Sequence, residues 1–448
     1  RGGFERSAAL AVSGASNLVL LELLDSSLIR RIQGHTNRFD LHELVRQYAQ
    51  EKLEADPAGA AAARRKHAEW FLSWAKGIQL RKQKGLELVQ WMRRIEQELD
   101  NLRAVLVWAE REDEPQTIIH LGSALLFFWR SRGYAREGLG WISRTLDRLG
   151  SLNSTQLHAS ALTQIGDLYV HEGDMKAAGA AYQKAVEVAQ AADHPEALAQ
   201  ALNGLGIVAL YDHDYPLSRQ YFSELSTLTR QLGDKTLAAM ALNNLGCVLE
   251  YEGNYQGALD THSESLNLKI EIGDAFGQSI SLRNMGLMAR LLGDYATAHR
   301  YLEQSLEIST ALDDRQVMLD ALNASSALAF QQADYNRARS LYHQSLRLSQ
   351  TVQYRGLIAY MLEGVAALLG VNGQGKTAAR LLGQADALRH AAKIPVSPSE
   401  LAAYQTQLEN IKAATGELGF SLAWREGQAL SLEQALALAL EALDTVSF

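Results

Sequence analysis

The chain has 448 residues, 47% of them apolar and 21% charged, and a formal net charge of −8. That length is too great for one compact core, so several domains or an extended array is expected, and the acidic balance excludes broad nucleic-acid binding while leaving room for a local basic patch. The one cysteine, Cys247, excludes intramolecular disulfides and cysteine-cluster metal sites, and in a helix it reads as a small buried side chain.

The chain opens on Arg1, not Met, inside an amphipathic pattern, and reads as part of a longer polypeptide. Apolar helix patterns run through Ser7 to Ser13 and Ser16 to Ser26. Two β-prone runs follow, Leu28-Ile29-Arg30-Arg31-Ile32 and Arg38-Phe39-Asp40-Leu41, flanking a turn at Gly34-His35-Thr36-Asn37. That pattern predicts a hairpin. A helix from His42 to Ala55 completes the outline of a winged helix over residues 1–76. Residues 77–156 read as a helical linker in which Trp91, Trp108, Trp129 and Trp141 anchor the core. Leu121 to Leu149 looks like a degenerate first repeat, with Gly133-Tyr134 at its turn.

From residue 157 to 392 a glycine or small residue returns every 40 positions: Gly166, Gly206, Gly246, Gly286, Ser326 and Ala366. Nine residues after the first five come Met175, Tyr215, Tyr255, Tyr295 and Tyr335, and twelve after come Ala178, Ser218, Ala258, Ala298 and Ala338. Constant offsets of this kind describe one helix–turn–helix unit, A then B, stacked many times, with neighbours burying each other's apolar faces. The pairs Leu205-Gly206 and Leu245-Gly246, with Ala178…Tyr182 and Ser218…Phe222, resemble tetratricopeptide repeats with a lengthened period. The resemblance implies an all-α, right-handed superhelical array whose concave groove binds a protein or peptide. By that geometry Asn203, Asn243, Arg283 and Asn323 face the groove, with Tyr211, Tyr251, Glu250, Arg290 and Phe330 further along the same side. The alternative is that the Asn series bonds to neighbouring helices and sets the superhelix. Residues 393–448 carry two helix starts, Ser397-Pro398-Ser399-Glu400 and Ser431-Leu432-Glu433-Gln434, and read as a helical cap.

Gly370-Val-Asn-Gly-Gln-Gly375-Lys376-Thr377 fits the phosphate-loop pattern. A working loop follows a strand, whereas the array frame puts a helix–helix turn here, with Gly373 at the offset of Gly253 and Gly293. Phe39-Asp40-Leu41-His42-Glu43 resembles the Met-His-Asp motif in the winged helix of STAND-type signalling ATPases, the NB-ARC class, with Leu41 for Met and Glu43 for Asp. Arg1-Gly2-Gly3-Phe4, Glu98-Leu99-Asp100-Asn101 and the segment Phe420 to Glu433 also resemble the corresponding parts of bacterial regulators. The resemblance implies that His42 contacts the β-phosphate of ADP held by an ATPase core, and that the winged helix serves this switch in preference to DNA. Arg30, Arg31, Arg38 and Arg46 give that domain a basic side.

The leading reading is therefore the sensor and regulatory arm of a STAND-type ATPase or transcriptional regulator. The chain has no catalysis, metal or cofactor of its own, and ADP or ATP belongs to the parent. Effector binding would shift a nucleotide-dependent equilibrium, with oligomerisation in the activated parent. No run approaches the roughly 18 apolar residues of a spanning helix, and no signal peptide is evident, so a cytoplasmic setting without membrane is expected. The alternative is a constitutive tetratricopeptide-repeat scaffold without switching.

Overall fold

A computed structural model describes residues 2–32, 37–79, 85–149, 155–349, 355–392, 394 and 396–448. The chain folds as two compact units, Arg1–Asp212 and His213–Phe448.

Unit 1 opens with the winged helix. A short strand β1 (Phe4–Glu5) precedes α1 (Arg6–Ser13) and α2 (Asn17–Asp25). Gly14, at φ 71°, ends α1, and Ser16 caps α2 by accepting the Val19 N–H. Strands β2 (Ile29–Arg31) and β3 (Arg38–Leu41) pair antiparallel, Arg30 opposite Asp40, and β1 adds to the far edge of β3, giving the order β1-β3-β2. The wing is thus three-stranded, because Gly3 (φ 79°) brings Phe4 beside Phe39, where a Cβ on Gly3 would lie 2.7 Å from the Phe39 carbonyl. The expected turn lies outside the described residues apart from Asn37. Helix α3 (Glu43–Glu54) follows, then α4 (Pro57–Gln79) and α5 (Gly85–Arg111).

The buried Arg38–Glu98 pair ties β3 to α5. Arg38 also donates to the Gly2 and Gln97 carbonyls, and Asn101 donates to the Gly3 carbonyl at 3.0 Å. Glu98 and Asn101 therefore hold the first strand and the wing in place. Helices α6 (Pro115–Ser131) and α7 (Ala135–Leu149) form the degenerate first repeat. Gly138 lies flat on the fully buried Trp129 ring. Then come α8 (Gln156–Glu172), α9 (Met175–Ala191) and α10 (Pro195–Tyr211).

Unit 2 holds the repeat helices α11 (Tyr215–Leu232), α12 (Lys235–Tyr251), α13 (Tyr255–Glu271), α14 (Ala275–Leu291), α15 (Tyr295–Ala311), α16 (Arg315–Gln331), α17 (Tyr335–Ser349), α18 (Arg355–Val371) and α19 (Gly375–Ala392). The cap is α20 (Pro398–Thr415), α21 (Glu417–Gln428) and α22 (Leu432–Thr445). Each turn is built the same way. Asn254 and Asp294 accept the N–H of the third residue into the B helix, at 3.0 and 3.1 Å. Asp274 and Asp314 do the same for A helices. The preceding left-handed position is Gly253 (φ 78°) or Gly293 (φ 83°), but His213 (φ 60°) and Ala333 (φ 58°) also adopt it.

The 40-residue landmark has a packing cause. A Cβ on Gly246 would lie 2.6 Å from the His262 ring, and one on Gly286 2.7 Å from Leu302 Cγ. The residue 16 places after each landmark thus fills the A–B seam. Tyr182, His262, Leu302, Tyr342 and Leu382 hold this place within the units, and Phe222 has the same sequence offset, all at 3% exposure or less. Among the described residues no single helix is long and apolar enough to cross a membrane; the bent pair α1–α2 passes that test together, by length and composition only.

Candidate functional site

The Gly370–Thr377 segment is the turn between α18 and α19, with Gly373 at φ 83° and Gly375 opening α19. A Cβ on Gly375 would lie 2.7 Å from Thr415, so α20 closes over it. A helix, not a strand, precedes the segment.

In unit 1, His42 is exposed at the start of α3 and makes no capping bond with its side chain. The basic side of the wing is largely internally paired: Asp40 bonds both Arg30 and Arg46, and Arg38 is buried against Glu98. Leu10, Leu18, Leu44 and Tyr48 are 58–71% exposed on the three helices around it. Asn203 is half-buried and Tyr211 exposed on α10.

In unit 2 the other members of the polar series sit low on the A helices. Asn243 accepts from Asn284 Nδ2 at 3.3 Å and from the buried Lys269 Nζ at 3.5 Å. Burial lowers the Lys269 ammonium to about 8, and a bond to Ser281 at 2.9 Å helps to satisfy it. Arg283 Nε is enclosed without a partner. Asn323 is 1% exposed, with neither amide atom bonded among the described residues. Burial raises the Glu250 and Asp320 carboxyls, and the nearby Arg283 charge pulls both back. Tyr251 stacks on Tyr215, centroids 5.4 Å apart.

About two turns further along, Arg290 and Phe330 reach open space. With Leu291, Gln331, Gly370 and Val371 they line a chamber of about 690 Å³ on the A-helix side of α14, α16 and α18. Its other wall is α20, through Glu400, Tyr404, Gln407 and Ile411. Arg290 is buried; it donates to Glu400 and, at 3.3 Å, to Gln331 Oε1. Glu363, raised by burial, is held by Arg389 through two bonds of 2.6 and 2.7 Å. Tyr342 and Tyr360 also line the chamber, and burial raises both hydroxyls well above their ordinary range. Sequence reasoning missed these tyrosines and Glu363, and it read α20 as a cap helix without its place in the chamber wall. The tyrosines sit at seam or mid-helix offsets, and nothing local in α20 tells which face it will cover.

Tetratricopeptide-repeat matches cover residues 157–222, 197–271 and 277–351. Curated relatives from Mycobacterium bovis and Mycobacterium tuberculosis, described as HTH-type transcriptional regulators, are 29% identical over 250 residues, covering 52% of this chain and 28% of theirs. The chain thus matches well under half the length of those relatives. Among solved structures, a STAND protein with a tetratricopeptide repeat sensor from Pyrococcus horikoshii superposes with a TM-score of 0.53 at 16% identity, covering 92% of this chain and 63% of that one. A Rap protein complexed with Competence and Sporulation Factor gives 0.54 at 14% identity, covering 79% and 97%. At such identities the likeness is one of fold.

Proposed function

We propose that this tetratricopeptide-repeat chain is the sensor and regulatory arm of a STAND-type signalling ATPase, with the ATPase core on the same polypeptide. The effector, a protein, peptide or smaller molecule, binds the concave A-helix side of the array and shifts a nucleotide-dependent switch through the winged helix. Catalysis and ADP or ATP belong to the parent's core. The observation that carries this is the unit 2 chamber, where a buried Arg290 and apolar walls face space large enough for a ligand. The fold likeness to a STAND protein with the same kind of sensor supports it. So do the exposed His42 and the exposed apolar side chains of the same domain, Leu10, Leu18, Leu44 and Tyr48, which a core domain would cover.

The test uses the full-length polypeptide loaded with fluorescent ADP. If His42 holds the β-phosphate, His42→Ala removes one bond to a charged group, about 1.5–3 kcal/mol. ADP release should accelerate roughly ten- to a hundred-fold. Release that ignores His42→Ala, and ignores every ligand of the array, would favour a constitutive scaffold.

A further inference from the structure

Arg290 is placed unusually for an arginine with only structural duties. It is 7% exposed and lines the chamber of about 690 Å³, and its Nε is enclosed with no partner among the described residues. A guanidinium cannot shed its proton, so burial obliges it to keep an anion beside it. The carboxylate with which it pairs is Glu400; the buried Glu250 carboxyl also feels the Arg290 charge. The other carboxylate on the chamber wall, Glu363, is committed to Arg389.

Glu400 belongs to a lightly held helix. Within α20 only Ile411 is fully buried, and Leu401 is 43% exposed. The far half of α20 is anchored by Ile411 and by Gln407, which donates to the Glu363 carbonyl at 2.8 Å. The near half is tied by Glu400. Between these ties α20 spans the chamber. The Tyr342 and Tyr360 hydroxyls have no hydrogen-bond partner among the described residues, and both keep their protons as donors.

We propose that this chamber is a binding site for an apolar carboxylic acid whose carboxylate takes the place of Glu400 on Arg290, with its apolar body against Leu291, Phe330 and Val371, and that binding frees the first turns of α20. Exchange of one carboxylate for another leaves the buried charge balance unchanged. A neutral ligand of the same shape cannot release Glu400 without stranding Arg290. An amine would meet the guanidinium directly. The site rests on reading the concave side of unit 2 as the effector surface, and it names the ligand chemistry and the element that reports it.

The test is calorimetric titration of the whole chain with decanoate, with decanol as the neutral control. A short apolar peptide with a free or an amidated C-terminus forms the second arm. Decanoate or the free-acid peptide should bind, and whichever does identifies the source of the carboxylate. The alcohol and the amide should bind at least about 30-fold more weakly, the usual range for a lost charge-assisted bond. Glu400→Gln removes the competing charge and should tighten the acid about tenfold, and Arg290→Gln should abolish it. Hydrogen exchange over residues 398–406 should rise on binding. Equal binding of acid and alcohol, an acid indifferent to Glu400→Gln, or no binding in either arm would overturn the proposal. Should Arg290→Gln fail to fold, Glu400→Gln still decides. An acid that binds as described while ADP release ignores both it and His42→Ala in the full-length protein keeps this site and removes the sensor reading. Sensitivity of release to His42→Ala without acid binding does the reverse.

Discussion

His262 occupies a place built for an apolar side chain. The equivalent residues are Tyr182, Phe222, Leu302, Tyr342 and Leu382, while His262 is 0% exposed and neither ring nitrogen has a partner among the described residues. Burial first, then the Arg283 and Lys269 charges, lowers its pKa from 6.5 to about 3. The unfolded chain therefore takes up a proton below about pH 6.5 that the folded chain refuses until about pH 3. Stability is full at neutral pH and lost as pH falls through that window. The shift implies about 2 kcal/mol lost between pH 7 and 5 from this one group. His262→Leu removes the titration together with two unsatisfied nitrogens. Leu302 shows that leucine fits the same seam, with its Cγ 2.7 Å from the Cβ position of Gly286. At about 1–3 kcal/mol for a buried unsatisfied polar group, the variant should be stabilised by that order at pH 7. For a unit of this size the melting temperature should rise by roughly 2–12 °C. The assay is urea unfolding of both proteins at pH 7 and pH 5, and the gain should grow by about 2 kcal/mol at the lower pH. A destabilised variant, or a difference that does not change with pH, would refute the reasoning.

Glu98→Ala leaves Arg38 buried and unpaired, both side chains being 5% exposed, and should destabilise unit 1 by about 3–5 kcal/mol in thermal melts. Gly286→Ala puts a Cβ 2.7 Å from Leu302 Cγ. It should cost about 1–3 kcal/mol, with faster hydrogen exchange concentrated in α14 and α15. Lys376→Ala should leave the chain's nucleotide affinity unchanged in equilibrium dialysis, because its glycines serve a helix–helix turn; loss of a micromolar affinity would reinstate the phosphate-loop reading. Cys247, half-buried and pushed up by burial to about 11, should react with iodoacetamide at pH 8 much more slowly in the folded chain than in urea.

What the sequence made legible follows from the range of the interaction responsible. A Gly at 246 and the ring at 262 are 16 residues apart inside one helix pair, and the same contact recurs between Gly166 and Tyr182 and between Gly286 and Leu302, so periodicity exposes it. Turn chemistry is more local still, which is why Gly253 and Gly293 could be placed at helix–helix turns. The wing was visible as two alternating runs, but β1 was not: two residues carry no period, and only Gly3 and the Glu98–Asn101 contacts make that strand pair. On the A-helix side, the offsets of Arg290 and Phe330 were legible because they repeat, and both line the chamber. The deeper offset shared by Asn243, Arg283 and Asn323 was read with the same rule, and there the helices lie close enough to enclose much of the polar series. Hidden altogether was the Arg290–Glu400 pair, 110 residues apart and made once, by a helix whose weak amphipathicity does not announce a partner. A unique long-range contact leaves no periodic trace in a repeat protein. Such proteins are therefore most opaque to sequence reasoning where a non-repeating element folds back on the array, and in this chain that is where the candidate ligand site lies.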